Sequence, residues 1–280
     1  MRDDHRKKLA RTGVSLLGSS LVLLATWGGS SVALANTNPI QNTIQNKVAT
    51  EPTETVMVVG GSVAHGWADP TRDSYIRRSF AMLSESTHVN YQYDDQSIPG
   101  CPAVRISSTT FQNWLNQDQP NVVIISWGIL DDIHNHTPLA DFQTTIHDEI
   151  AASLQHQAVV FVVTPPVVPA NADKWHSLFE QYVSAERAAA NSFSSPNVHF
   201  VPLNRDMASY MQMKSLSLSN YAVGGWHPNA AGHELAGILL DKAMVQMLGS
   251  RPIEFVRKGS EWKHGFTSAI RGAGRASLTF

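Results

Sequence analysis

Residues 55–66 read Thr-Val-Met-Val-Val-Gly-Gly-Ser-Val-Ala-His-Gly. The run 55–59 is short, apolar and stopped by Gly60-Gly61, which predicts a buried strand. Ser62 follows at the strand's exit. A serine at a strand-to-helix turn has its hydroxyl lifted to the carboxyl edge of a sheet. The first N–H groups of the helix lack intrahelical partners and suit a developing oxyanion. A plain Gly-rich turn with a capping serine uses the same residues, and a phosphate-binding loop would require a lysine that does not follow here.

Outward from this stretch, apolar runs alternate with helical spacing. Residues 74–86 place Ile76, Phe80 and Leu83 on one helical face. Residues 89–93 read as a second strand and 108–116 as a helix around Phe111, Trp114 and Leu115. The third strand, 121–127 (Asn-Val-Val-Ile-Ile-Ser-Trp), is continuously apolar, as expected of a strand covered on both faces. A helix over 138–155 and a fourth strand over 158–164 follow, the latter stopped by Pro165-Pro166. A helix over 173–192, a short strand over 198–202 and a strong helix over 229–248 complete the series. This alternation predicts an α/β fold with a parallel sheet, helices on both faces and functional loops at the carboxyl ends of the strands.

Near the end of the series stands Gly225-Trp226-His227-Pro228-Asn229. The proline restricts His227 to extended backbone, off any helix face. A histidine at a helix entry is placed to act as a general base near neutral pH, and Asn229 is the expected cap of the helix beginning near residue 230. Taken alone, a histidine before a helix is more often structural.

Together the two segments resemble the SGNH (GDSL-like) hydrolases. The first family block, GxSxxxG, is met by Gly60, Ser62 and Gly66. The last, DxxHPN followed by a Gly-containing helix, is met from Gly224 to Asn229 and at Gly232, except at its first position. Gly100, after the second strand, stands where the family has an oxyanion-hole glycine. Gly128-Ile129-Leu130-Asp131 aligns with the GxND block, and Thr164-Pro165-Pro166 is typical after the fourth strand. The resemblance covers about residues 54–248. It implies a three-layer α/β/α sandwich with a five-stranded parallel sheet in the order 2-1-3-4-5. It also implies ester hydrolysis with Ser62 as nucleophile, His227 as base, and the N–H groups of Ser62 and Gly100 as oxyanion donors. No cofactor or metal is implied. Trp67 and Trp226 flank the two main blocks and are candidates to line a substrate site, as a wall for an acyl chain or a platform for a sugar ring.

Two positions depart from the pattern. Leu130 replaces the oxyanion asparagine, and Gly224 replaces the aspartate that orients the histidine. Loss of one oxyanion donor costs about 2.7–4 kcal/mol in other enzymes, and loss of a triad aspartate about 10⁴-fold in rate. A Ser–His dyad steadied by a backbone carbonyl near Gly224 is one compensation. Asp131 and Asp132 are nearby replacement carboxylates, though either also suits a helix cap. The alternative function is a weak or inactive SGNH-like domain that binds a glycan or an acylated ligand. Acyl transfer onto a glycan is a third.

The remaining sequence sets the context. Arg2, Arg6, Lys7, Lys8 and Arg11 precede an almost uncharged stretch centred on Leu21-Val22-Leu23-Leu24, and Ala33-Leu34-Ala35 follows. This is the pattern of a secretory signal cleaved after Ala35, with an uncleaved membrane anchor as the other reading. Residues 36–53 are polar and read as a flexible leader, 54–249 as the hydrolase-like domain and 250–280 as a basic extension, either packed or on the surface. Loss of residues 1–35 removes five of 21 basic and two of 23 acidic side chains and leaves a net charge of −5. That balance gives no support to a nucleic-acid surface. The expected partner is a small-molecule, glycan or lipid ester, with no stable membrane insertion after cleavage. Cys101 is the single cysteine, so no internal disulfide forms, and a buried filler is its default role. His134-Asn135-His136 is two ligands without a third, which is weak evidence for a metal. His65, three residues after Ser62, is expected at the surface, with a place in the pocket lining as the other reading. The sequence does not choose an oligomeric state.

Overall fold

The computed structural model describes residues 51–257. The expected signal, most of the leader, and the extension from residue 258 onward lie outside them. Five parallel strands form one sheet in the order β2-β1-β3-β4-β5. They are β1 (Thr53–Gly60), β2 (Asn90–Asp95), β3 (Val122–Ser126), β4 (Val159–Val163) and β5 (Val198–Val201). All four pairings are parallel. The three-layer α/β/α architecture expected from the sequence is the one observed.

Period-two geometry explains the layering. Along β1, Met57 and Val59 join one core while Val56 and Val58 join the other, and β3 and β4 divide their residues the same way. The first core packs against α2 (Ser108–Asp118), α4 (Leu139–Gln155) and α5 (His176–Asn191). The second packs against α1 (Tyr75–Thr87), α6 (Leu203–Met213) and α7 (Ala230–Leu248). Each fully buried aliphatic side chain contributes about 1.5–3 kcal/mol, so strands without a single polar residue in their centres are what this double-sided burial requires.

The helix ends follow side-chain chemistry. Ser74 Oγ accepts from Arg77 N–H, Ser107 Oγ from Thr110 N–H and Asn229 Oδ1 from Gly232 N–H. Among the elements not expected from the sequence are α3 (Leu130–His134), α6, and a two-stranded hairpin of β6 (Ala222–Val223) and β7 (His227–Pro228). The five residues of α3 and the two-residue strands of the hairpin are too short for periodicity to register.

The start of the basic extension is packed. Ile253 is buried in the second core, and Asn197 bonds both main-chain groups of Val256, at 2.7 and 2.9 Å.

The first core also holds acids. Glu149 on α4 accepts from Trp127 Nε1 at 2.9 Å. Its second oxygen and both oxygens of Glu186 on α5 are buried with no hydrogen-bond partner among the described residues. Both oxygens of Asp132 accept from Ala103 N–H at 3.2 Å.

Candidate active site

The site is assembled at the carboxyl edge of β1 and β3. At the end of β1, an added Cβ on Gly60 would lie 2.2 Å from Ser126 O and 2.6 Å from Ala64 Cβ, so no side chain fits. The chain then makes a helical turn, with His65 N–H donating to Gly61 O, Gly66 N–H to Val63 O and Trp67 N–H to Ser62 O. Gly66 closes it at φ +78°. The expected strand-to-helix exit is therefore a single turn, and α1 begins only at Tyr75.

His227 approaches from the other end of the chain on the hairpin. Val223 pairs with His227, and the three residues between include Gly224 and Gly225 at φ +62° and +78°. Gly225 O accepts from Ala170 N–H at 2.9 Å. Asn229 N–H and Gly232 press against Tyr221, where an added Cβ on Gly232 would lie 2.0 Å from Tyr221 O. The backbone that carries the imidazole is thus fixed on both sides. Ser62 Oγ and His227 Nε2 are 3.0 Å apart across 165 residues of sequence. For Nε2 to accept from the hydroxyl, the proton of neutral His227 must sit on Nδ1.

The pKa of His227 is lowered by burial, an effect partly offset by the negative charge of Asp131. The carboxyl of Asp131 is itself pushed up by burial and pulled down by His227, His134 and Arg105. Its Oδ2 lies 3.2 Å from where a Cβ on Gly61 would be, next to the serine. Asp131 is the acid whose charge reaches the histidine. Asp132 is turned the other way, onto Ala103 N–H, and burial lifts it to about 6.

Gly100 occupies a turn in which Cys101 N–H donates to Ile98 O at 3.2 Å, with Pro99 and Gly100 (φ +74°) at its centre. Ile98 N–H donates to Gly60 O, which ties this turn to the serine's strand. Among the described residues, neither the Ser62 N–H nor the Gly100 N–H has an acceptor. That is the state an oxyanion donor must be in. Leu130 contributes no donor: it is 5 % exposed and belongs to the first core. It follows a tight turn in which Leu130 N–H reaches Gly128 O at 2.6 Å around Ile129 at φ +62°, ψ −42°. This is strained backbone for a β-branched residue.

The tryptophans separate. Trp67 is 45 % exposed on the loop after Ser62. Trp226 is partly buried, edge-on to Trp175 at 4.8 Å and to His134 at 6.0 Å between ring centres. His134 is therefore part of an aromatic cluster. Cys101 is buried in the first core, and burial raises its thiol pKa. His65, expected at the surface, is part-buried instead. It is bound to Asp95 at 2.9 Å and Arg72 at 3.0 Å, partners too distant in sequence or too ordinary in type to signal it.

The model of the GDSL-like lipase/acylhydrolase family matches residues 58–235. No curated protein sequence matches the chain. Among solved structures, it resembles the psychrotrophic esterase EstA from Pseudoalteromonas sp. at TM-score 0.55 and 15% identity, covering 70% of this chain and 98% of that one. A family 3 carbohydrate esterase from Clostridium thermocellum gives 0.54 and 18%, covering 70% and 96%. The acetylxylan esterase Axe2 from Geobacillus stearothermophilus, as a catalytic mutant, gives 0.55 and 16%, covering 73% and 97%. At these identities the structures speak for the shared fold, and the family match spans well over half the chain. With its sheet order and its serine and histidine blocks in place, the chain belongs to the GDSL-like lipase/acylhydrolase family of SGNH-type ester hydrolases.

Proposed function

We propose that this protein is an exported serine ester hydrolase acting on an acyl ester through a Ser62–His227 dyad. The observation that carries the reading is the 3.0 Å approach of Ser62 Oγ to His227 Nε2. In the proposed cycle Ser62 Oγ attacks the ester carbonyl while His227 Nε2 takes its proton. The negative oxygen is received by the N–H groups of Ser62 and Gly100. Collapse expels the alcohol, which takes the proton back from His227, and water then cleaves the acyl-enzyme by the same steps. Asp131 acts on His227 through its charge, as a positioning residue. Export rests on the basic start and Ala33-Leu34-Ala35 of the sequence.

A fluorophosphonate probe tests the chemistry directly. The full chain is expected to take up one equivalent, and peptide mapping is expected to place the adduct on Ser62. An adduct on another residue, or none at all, would overturn the reading. The absence of an adduct, with saturable glycan or lipid binding retained, favours the binding domain that a buried Leu130 and a glycine at 224 also suit.

A further inference from the structure

Next to the nucleophile turn lies an open cleft of about 590 Å³, lined by His65, Thr71, Arg72, Asp73, Arg77 and Asp95. Every lining side chain is polar or charged. Asp95 is engaged within the cleft wall itself, by His65, and Asp73 turns to Arg78 outside the lining. Asp95 accepts from His65 Nδ1 at 2.9 Å and from Ser97 N–H, and Asp73 Oδ2 faces Arg78 Nε at 3.6 Å. Arg72 and Arg77 have no carboxylate partner among the described residues. They are nevertheless held in place. Arg72 donates to His65 Nε2 at 3.0 Å and stacks over Trp67 at 5.6 Å, and Arg77 lies 4.1 Å over the ring of Tyr93. Because His65 Nε2 accepts from a guanidinium, its proton sits on Nδ1 and points to Asp95, which fixes the array.

The loop carrying these groups is built at a cost. Ala68 and Arg72 have φ of +71° and +54°, values that L side chains adopt rarely. The surrounding structure enforces them. Asp69, almost fully buried, accepts from Thr71 N–H, Thr71 Oγ1 and Arg78 Nη2, and Trp67 O is held by His233 Nε2 at 3.3 Å. Strain kept this way concentrates at functional sites. His65 lies one helical turn after Ser62, so one wall of the cleft is carried by the nucleophile turn itself.

We propose that this cleft binds a carboxylate on the ester substrate, so that the hydrolase selects carboxylate-bearing esters such as O-acetylated acidic sugars. The inference rests on the esterase reading for its substrate and on the cleft alone for its ligand. Two guanidinium forks match a planar carboxylate. Among the cleft's lining residues no aliphatic or aromatic side chain is present to receive a lipid chain.

The test uses the full chain with two O-acetylated methyl glycosides, one of glucuronic acid and one of glucose, and measures acetate release. Free glucuronate binding is measured by calorimetry in parallel. The acidic ester is expected to show a KM at least about 10-fold lower than the neutral one. The Arg72→Gln/Arg77→Gln double variant is expected to bring that ratio close to one and to abolish glucuronate binding, with its melting temperature checking the fold. Equal KM values for the two esters, a ratio that survives the double variant, or binding of inorganic phosphate without glucuronate would each overturn the proposal. Arginine-dependent glucuronate binding without turnover of either ester would support the cleft and count against the esterase reading alone.

Discussion

Replacing Ser62 by alanine is expected to lower the ester-hydrolysis rate by at least about 10²-fold, and His227→Ala is expected to match it. The size of the loss is informative. In a serine protease with a complete triad, losing the nucleophile costs about 2 × 10⁶ in kcat and losing the aspartate about 3 × 10⁴. Because these groups act as a unit, a dyad that never had its aspartate has only about 10² left to lose. A fall near 10⁶ in the Ser62→Ala protein would mean that Asp131 supplies most of what Gly224 lacks. The pH profile separates the cases. His227 must be neutral to act, and burial lowers its pKa from the ordinary histidine value, so the acid limb of kcat/KM is expected below about pH 6.5. Asp131 pulls that pKa upward. Asp131→Asn is therefore expected to move the acid limb further down while lowering kcat. An unmoved limb would remove Asp131 from the mechanism, and a Ser62→Ala protein with undiminished turnover would remove the dyad.

Alkaline pH is expected to destabilise the protein strongly, through acids buried in the first core. Burial, more than any neighbour, raises Glu149 to about 8, with Asp132 and Asp148 adding to it and the Trp127 bond opposing. It lifts Glu186 well above the usual carboxylate range, with Asp132 and Glu149 adding. A folded pKa above the unfolded one means that the native state keeps a proton the unfolded chain releases. Stability from such a group is complete below the unfolded value, near 4.5, and is lost as pH rises to the folded one. Each group contributes a slope of up to about 1.4 kcal/mol per pH unit. For a domain of this size that is about 3–6 °C of melting temperature per unit. Melting curves from pH 5 to 9 are expected to fall accordingly. Glu186→Gln is expected to flatten the fall and raise the melting temperature at pH 8, because neither Glu186 oxygen has a partner to lose. A melting temperature that holds or rises between pH 6 and 9 would contradict this, as would a slope unchanged in Glu186→Gln.

The strands and long helices were legible because two-sided burial writes itself as unbroken apolar runs, as in residues 121–127, and because Ser74, Ser107 and Asn229 are good caps. Ser62 and His227 were legible as motif positions, but their 3.0 Å approach is a property of the sheet order, which brings the first strand's exit beside the last helix. The hairpin that carries His227 escaped because two-residue strands have no periodicity. The array of His65, Asp95 and Arg72 escaped because hydrogen bonds between distant polar residues leave no pattern in the chain. The buried acids escaped because a glutamate on a helix reads as solvated. Nothing local to Glu149 or Glu186 marks the face it occupies.

The double-glycine turn before His227 has one more implication, for how this family member tolerates change. Where an aspartate holds the histidine, aim is set by a side chain and can be retuned by substituting it. Here the turn that presents the histidine runs through Gly224 and Gly225 in left-handed backbone, positions whose side chains are single hydrogen atoms. A saturation survey of the chain should therefore find intolerance at these two glycines, and a drifting lineage would find this histidine easier to lose than to redirect.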